Sequence, residues 1–241
     1  MFRIALNAGH YLGTAGKRVM KALDPAETRE WVLNSRICEL IEQKLKAYEG
    51  YELRRIDDRS GKTDKSISAR AAEANEFGAD IYVSVHHNAG IGGGSGGGVM
   101  AYVYTRVDDT TRRLQTVLYD ELVAATGLRG NRVTPKSTGD FGELRMTRMP
   151  AVLLECGFMD STTDVPIILS DEFANKAAEG IVAGIVKFAG LEKKSAPAPA
   201  PAPEVTGLYY VQTGAFRERK NAEAQVEKLK AAGFNAFIKV E

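Results

Sequence analysis

The hydrophobic pattern changes period several times along the chain. Short uninterrupted apolar runs at Phe2–Ala8, Ile81–Val85, Val99–Tyr104 and Ala151–Leu154 have the length and continuity of strands buried on both faces. Between them, apolar residues recur every three to four positions. From Pro25 to Tyr48 that repeat is carried by Trp31, Ile37, Leu40, Ile41 and Leu45, which predicts an amphipathic helix. Asp24 stands at the expected N-cap and Pro25 at the first helical position, where both residue types are favoured. Ser66–Phe77, Thr110–Thr126 and Asp171–Phe188 carry the same helical spacing. Strands alternating with helices imply an α/β fold, a mostly parallel twisted sheet with helices on both faces.

The alternation stops near residue 191. Ala196 to Pro203 is a strict Ala-Pro repeat, which favours extended polyproline II and reads as a semi-rigid spacer. Three parts follow: a domain over 1–191, a linker over 192–205 and a unit over 206–241. In the last, Leu208–Phe216 reads as a strand and turn, Asn221–Ala232 as a helix and Gly233–Val240 as a second strand, a small βαβ unit.

Composition excludes several classes. With 32 basic and 31 acidic side chains the chain lacks the basic surface that phosphate-driven nucleic-acid binding needs. Two cysteines are too few for a disulfide framework. No apolar run approaches the ~18–20 residues that span a bilayer, so no membrane partner is expected. Met1-Phe2-Arg3-Ile4 enters a strand directly, without the features of a signal peptide, so synthesis in the cytoplasm is expected.

Ligands of open α/β sheets bind beyond the carboxyl ends of the strands. The first run ends in Asn7-Ala8-Gly9-His10, the Ile81 run in His86-His87-Asn88, and the Ala151 run in Glu155-Cys156-Gly157. All three histidines of the chain therefore fall at one sheet edge. Imidazole suits zinc, and a catalytic zinc takes three protein ligands and an open position. His10 and His86 offer two. The start of the first long helix offers Glu27 or Glu30 as a third, and the pattern does not choose between them.

Asn7-Ala8-Gly9-His10, a helical Glu four residues before an Asn, Ser84-Val85-His86-His87-Asn88-Ala89 and Pro150-Ala151-Val152-Leu153-Leu154-Glu155-Cys156-Gly157-Phe158 together resemble the zinc-dependent N-acetylmuramoyl-L-alanine amidases, hydrolases of the bacterial cell wall. Arg55, Asp58, Ser66, Arg70 and Asn75 match in between, so the likeness covers roughly residues 2–190. It implies Zn2+ held by His10, Glu30 and His86, with Glu27 as fallback, and Glu155 as general base and acid toward a metal-activated water. The first motif departs from the family's Asp-Pro-Gly-His-Gly-Gly. Asn7 stands in place of the acid and is expected to support His10 through its amide oxygen.

Other features have plainer readings. The glycine-rich stretch 90–98 lacks the Gly-Lys-Ser/Thr ending of a phosphate loop and is expected to be a flexible wall of the substrate groove. Cys156 alternates to the face opposite Glu155 and reads as a buried apolar residue. Tyr210-Val211-Gln212-Thr213-Gly214-Ala215-Phe216 and Ala232-Gly233-Phe234-Asn235-Ala236 resemble the SPOR domains, which bind peptidoglycan. One such repeat buries too little core to stand alone, so a homodimer completed through two C-terminal half-domains is a further expectation. The function expected is cleavage of the amide between N-acetylmuramic acid and L-alanine by a lysin or autolysin acting on the wall after release. The alternatives are a zinc peptidase of the stem peptide and a catalytically silent wall-binding protein.

Overall fold

Residues 1–194 and 211–240 are described by the structure, a computed structural model. The chain divides into two units, Met1–Lys194 and Ser195–Glu241. In the first unit six strands form one sheet: β1 (Phe2–Ala8), β2 (Tyr51–Arg55), β3 (Ile81–Asn88), β4 (Val99–Val103), β5 (Lys136–Thr138) and β6 (Ala151–Phe158). Their order is β2-β1-β3-β6-β4-β5. β2, β1, β3 and β6 are mutually parallel, whereas β4 pairs antiparallel to β6 and carries β5 with it. The sheet is thus mostly parallel, as the continuous apolar runs predict.

Six helices belong to this unit: α1 (Glu30–Leu45), α2 (Ile67–Phe77), α3 (Asp109–Thr126), the short α4 (Gly142–Met146) and α5 (Val165–Ile168), and α6 (Asp171–Ala189). Strand alternation divides the core between the two faces. Ile4, Leu6, Val83, Val85, Val152 and Leu154 pack with Ile37, Ile41, Leu118, Leu122 and Ile181. Ala5, Tyr82 and Leu153 pack on the other side with Ala74, Phe77 and Leu144. Ser66, Asp108 and Ser170 cap α2, α3 and α6 with their side chains, satisfying amides that a helix start leaves unpaired.

The first long helix begins later than its apolar repeat implies. Val19 N–H donates to Thr28 O at 2.9 Å and Glu30 N–H to Lys17 O at 3.1 Å. Segment 17–30 therefore doubles back on itself, and Glu27 is left-handed with φ 50°. Asp24 caps this turn, accepting from Ala26 N–H at 3.1 Å and Thr28 N–H at 2.8 Å. Competition from that local pairing keeps Pro25 to Arg29 out of the helix, so Glu30 is its first residue. β3 and β6 also run further than expected, to Asn88 and Phe158. The polar residues that close the apolar runs are consequently in the sheet, with a register shift between His86 and Asn88.

In the second unit α7 (Arg219–Ala231) forms where a helix is expected. Its flanks, 211–216 and 233–240, carry no strand among the described residues. The Ala-Pro linker and Leu208 to Tyr210 lie outside the described residues.

Candidate active site

The site lies where β1, β3 and β6 end and α1 begins. His10 follows β1 in a left-handed conformation, φ 66°, which costs a non-glycine residue roughly 1 kcal/mol. Arg70 of α2 holds this bend: Nη2 donates to His10 O at 2.9 Å, and Nη1 to Ala8 O at 3.2 Å. Gly9 leaves space for the neighbouring imidazole, since a Cβ there would stand 2.1 Å from a His86 ring atom. Glu30, fully buried in the first turn of α1, meets both rings. Its Oε2 lies 3.3 Å from His10 Nε2, and its Oε1 lies 3.1 Å from His86 Nδ1.

One ligand atom from each of His10, Glu30 and His86 can be chosen so that all lie within 4.8 Å of one another. Two donors on one tetrahedral zinc at about 2.0–2.1 Å are roughly 3.3 Å apart, so the donor types suit a metal ion and a modest drawing-in of the side chains would close the set around it. Glu30 Oε2 is buried and has no hydrogen-bond partner among the described residues, as expected of an atom reserved for a cation. Burial raises the Glu30 pKa, but the adjacent imidazoles of His10 and His86 hold it far below the carboxylate range. Burial lowers His10, against the pull of Glu30. Glu27 is elsewhere, its Oε1 3.2 Å from Arg18 Nε.

Glu155 is the register partner of His86 on the adjacent strand and so shares its face of the sheet. Its Oε2 is buried and finds no hydrogen-bond partner among the described residues. Burial pushes its pKa up to about 8, with Glu30 adding to the rise and His86 opposing it. Such a group both takes and gives protons near neutrality. Cys156 faces the other way and is fully buried; burial raises its thiol well above the ordinary value, which makes it a poor nucleophile.

Residues 4–187 match the family described as N-acetylmuramoyl-L-alanine amidase. The chain belongs to that family. Residues 205–241 match the SPOR domain. The amidase CwlM of Bacillus licheniformis is 33% identical over 173 residues, 72% of this chain and 62% of that protein. A sporulation-specific N-acetylmuramoyl-L-alanine amidase of Bacillus subtilis is 31% identical over 79% of this chain and 68% of its own length. The endolysin of Bacillus phage SPP1 is 38% identical over 52% of this chain and 46% of its own length. This chain thus spans about two thirds or less of these relatives. Among solved structures, the catalytic domain of CwlV from Bacillus (Paenibacillus) polymyxa superposes with TM-score 0.69 at 25% identity, over 80% of this chain and all of that one.

Two expectations, one from the amidase resemblance and one from the glycine-rich pattern, are corrected. Asn7 does not serve His10. It sits opposite Ser84 in the β1–β3 register, on the face turned to α2 and α4, and its amide oxygen accepts from Arg70 Nη1 at 3.1 Å. Its amide nitrogen donates to Ser84 Oγ at 2.9 Å and to Glu143 Oε2 at 3.2 Å. The glycine-rich loop is also pinned rather than loose. Asp160 Oδ2 accepts from Gly90, Ile91 and Gly92 N–H at 2.7–2.8 Å, and Asp164 Oδ2 from Gly98 N–H at 2.7 Å. Carboxylates after β6 supply the acceptors that a side-chain-free segment lacks.

Sequence reasoning passed over Glu143, on α4. It is buried; its Oε1 lies 3.2 Å from His86 Nε2, and its Oε2 accepts from Tyr82 OH at 2.9 Å. Burial alone would raise its pKa, but His86, Ser84 and Tyr82 bring it down to about 2. His87 turns away and faces Asn34, Nδ1 to Oδ1 at 2.8 Å.

Proposed function

We propose that this protein hydrolyses the amide joining N-acetylmuramic acid to L-alanine in bacterial peptidoglycan, with Zn2+ held by His10, Glu30 and His86 and with Glu155 as general base and acid. The observation that carries this reading is a buried His/Glu/His cluster beside a desolvated carboxylate on the adjoining strand. Zn2+ in such a site supplies Lewis acidity, acidifying water and polarising a carbonyl oxygen. Glu155 takes one proton from the attacking water. The same carboxyl delivers a proton to the departing amine of L-alanine as the C–N bond breaks, so one water is consumed and the lactyl carboxylate is left. Lys17, with Nζ 3.7 Å from Glu30 Oε2, adds positive charge at the mouth of the site and favours an anionic transition state.

The SPOR-type unit is assigned to holding the enzyme on the wall. Relatives named as a sporulation-specific amidase and a phage endolysin agree with action on the wall after release by mother-cell or phage lysis. The test is digestion of purified peptidoglycan and identification of the freed amino terminus. L-Alanine is the expected result. Any other amino terminus refutes the amidase reading and favours a stem-peptide peptidase.

A further inference from the structure

We propose that Glu143 is a positioning residue for the metal-binding imidazole of His86, and that Asn7 is the amide that makes this buried carboxylate tenable. The inference rests on the metal-centre reading given above. His86 is held between two carboxylates: Nδ1 faces Glu30 Oε1 at 3.1 Å and Nε2 faces Glu143 Oε1 at 3.2 Å. Glu30 belongs to the ligand cluster and Glu143 does not. A ring nitrogen that meets an ionised carboxylate carries the hydrogen. With Glu30 committed to the ligand cluster, Glu143 Oε1 is the acceptor left for a ring N–H, which favours the tautomer protonated on Nε2 with the Nδ1 lone pair turned to the metal. Histidine ligands generally need such a partner on their second nitrogen.

Glu143 is equipped to act as an acceptor. Its Oε2 takes hydrogen bonds from Asn7 Nδ2 at 3.2 Å and Tyr82 OH at 2.9 Å, so both oxygens are occupied by donors and the carboxylate cannot turn. Asn7 is orientated in turn: Arg70 Nη1 donates to its amide oxygen, which forces the NH2 group toward Ser84 and Glu143. Arg70 also donates to the backbone oxygens of Ala8 and His10. One guanidinium thus sets the bend that places the first histidine and the amide that serves the second. An aspartate at position 7 would replace the amide donor to Glu143 Oε2 with a second acceptor, leaving Tyr82 OH as that oxygen's partner.

The experiment measures Zn2+ affinity by competition with a chromophoric chelator, in the full chain and in Glu143→Gln, Asn7→Asp and the double variant Asn7→Asp/Glu143→Gln. Histidine tautomers are read beside it by two-bond 15N–1H NMR, simplified by there being three histidines. Loss of the carboxylate in Glu143→Gln is expected to weaken zinc binding about 10–100-fold. Asn7→Asp is expected to weaken it similarly, and the double variant, which still lacks a carboxylate facing His86, to bind no more tightly than Glu143→Gln. In zinc-loaded parent protein His86 is expected to carry its proton on Nε2. Unchanged zinc affinity in Glu143→Gln with only a lowered Tm makes Glu143 a packing residue and overturns the proposal. So does a double variant that binds zinc as tightly as the parent, or a His86 proton found on Nδ1. Failure of the unaltered chain to bind Zn2+ at all overturns the metal-centre reading instead, and the two failures are distinguishable.

Discussion

Glu155→Gln separates the cost of the buried Glu155 carboxyl from its proposed use. The substitution preserves size and shape and removes the charge. In the folded metal-free chain burial raises the Glu155 pKa from 4.5 to about 8. A carboxyl with a raised folded-state pKa contributes fully to stability below about pH 4.5, and that contribution is lost as pH climbs through about 8. At about 1.4 kcal/mol per pH unit, the interval gives an upper bound of roughly 5 kcal/mol. Glu155 is partly open to the cleft, and screening reduces the figure to about 2 kcal/mol. In a domain of this size that is about 4–8 °C in Tm. Thermal melts of the metal-stripped chains are therefore expected to show Glu155→Gln gaining about 4–8 °C on the parent between pH 5 and pH 9. Addition of Zn2+ is expected to shrink the gap, since a nearby cation favours the ionised acid. Turnover of purified wall should fall about 10²–10⁴-fold, the usual worth of a general base. A Tm difference flat with pH would falsify the desolvation argument, and lysis within tenfold of the parent would remove Glu155 from its assigned role.

Chelation should abolish lysis and lower Tm, and Zn2+ at 100 times its dissociation constant should restore about 2.7 kcal/mol of stability; calorimetry with and without chelator checks both. Gly9→Ala should weaken zinc binding at least tenfold while leaving far-ultraviolet dichroism unchanged, because the new methyl would occupy the place of the His86 ring. Asp160→Ala removes the acceptor of three backbone N–H groups, a loss of about 1–3 kcal/mol. Hydrogen exchange over residues 90–92 should speed up accordingly, and protection equal to the parent's would refute the pinning.

Apolar continuity made the parallel strands readable, and the strand-end rule led to His10, His86 and Glu155. Three features escaped for separate physical reasons. The start of α1 at Glu30 depends on pairing between Lys17–Val19 and Thr28–Glu30, and no periodicity records a tertiary competitor of that kind. The expected partner of Asn7 followed from its place in the first motif, where it stands for the family's acid. Strand parity carries the better signal, since Asn7 shares its face with Ala5, and Ala5 packs with Tyr82 and Leu144. Glu143 sits on a five-residue helix, too short for any repeat to announce it. A lone glutamate in such a stretch reads as solvated surface until the tertiary fold encloses it.

The strand order has a consequence for biosynthesis. β6 lies between β3 and β4, yet it is the last strand of the sheet to be made. Until residues 151–158 emerge from the ribosome, β3 and β4 each present an open edge with nothing to join them, and long-range closures of this type are slow. The strand that closes the sheet is also the one that carries Glu155. A nascent chain therefore holds His10, Glu30 and His86 well before it holds Glu155, and the proposed site is completed only by the strand that closes its sheet. Ribosome-arrested chains ending at residue 150 are expected to stay protease-sensitive and inert toward wall, whereas chains with the whole first unit extruded resist digestion.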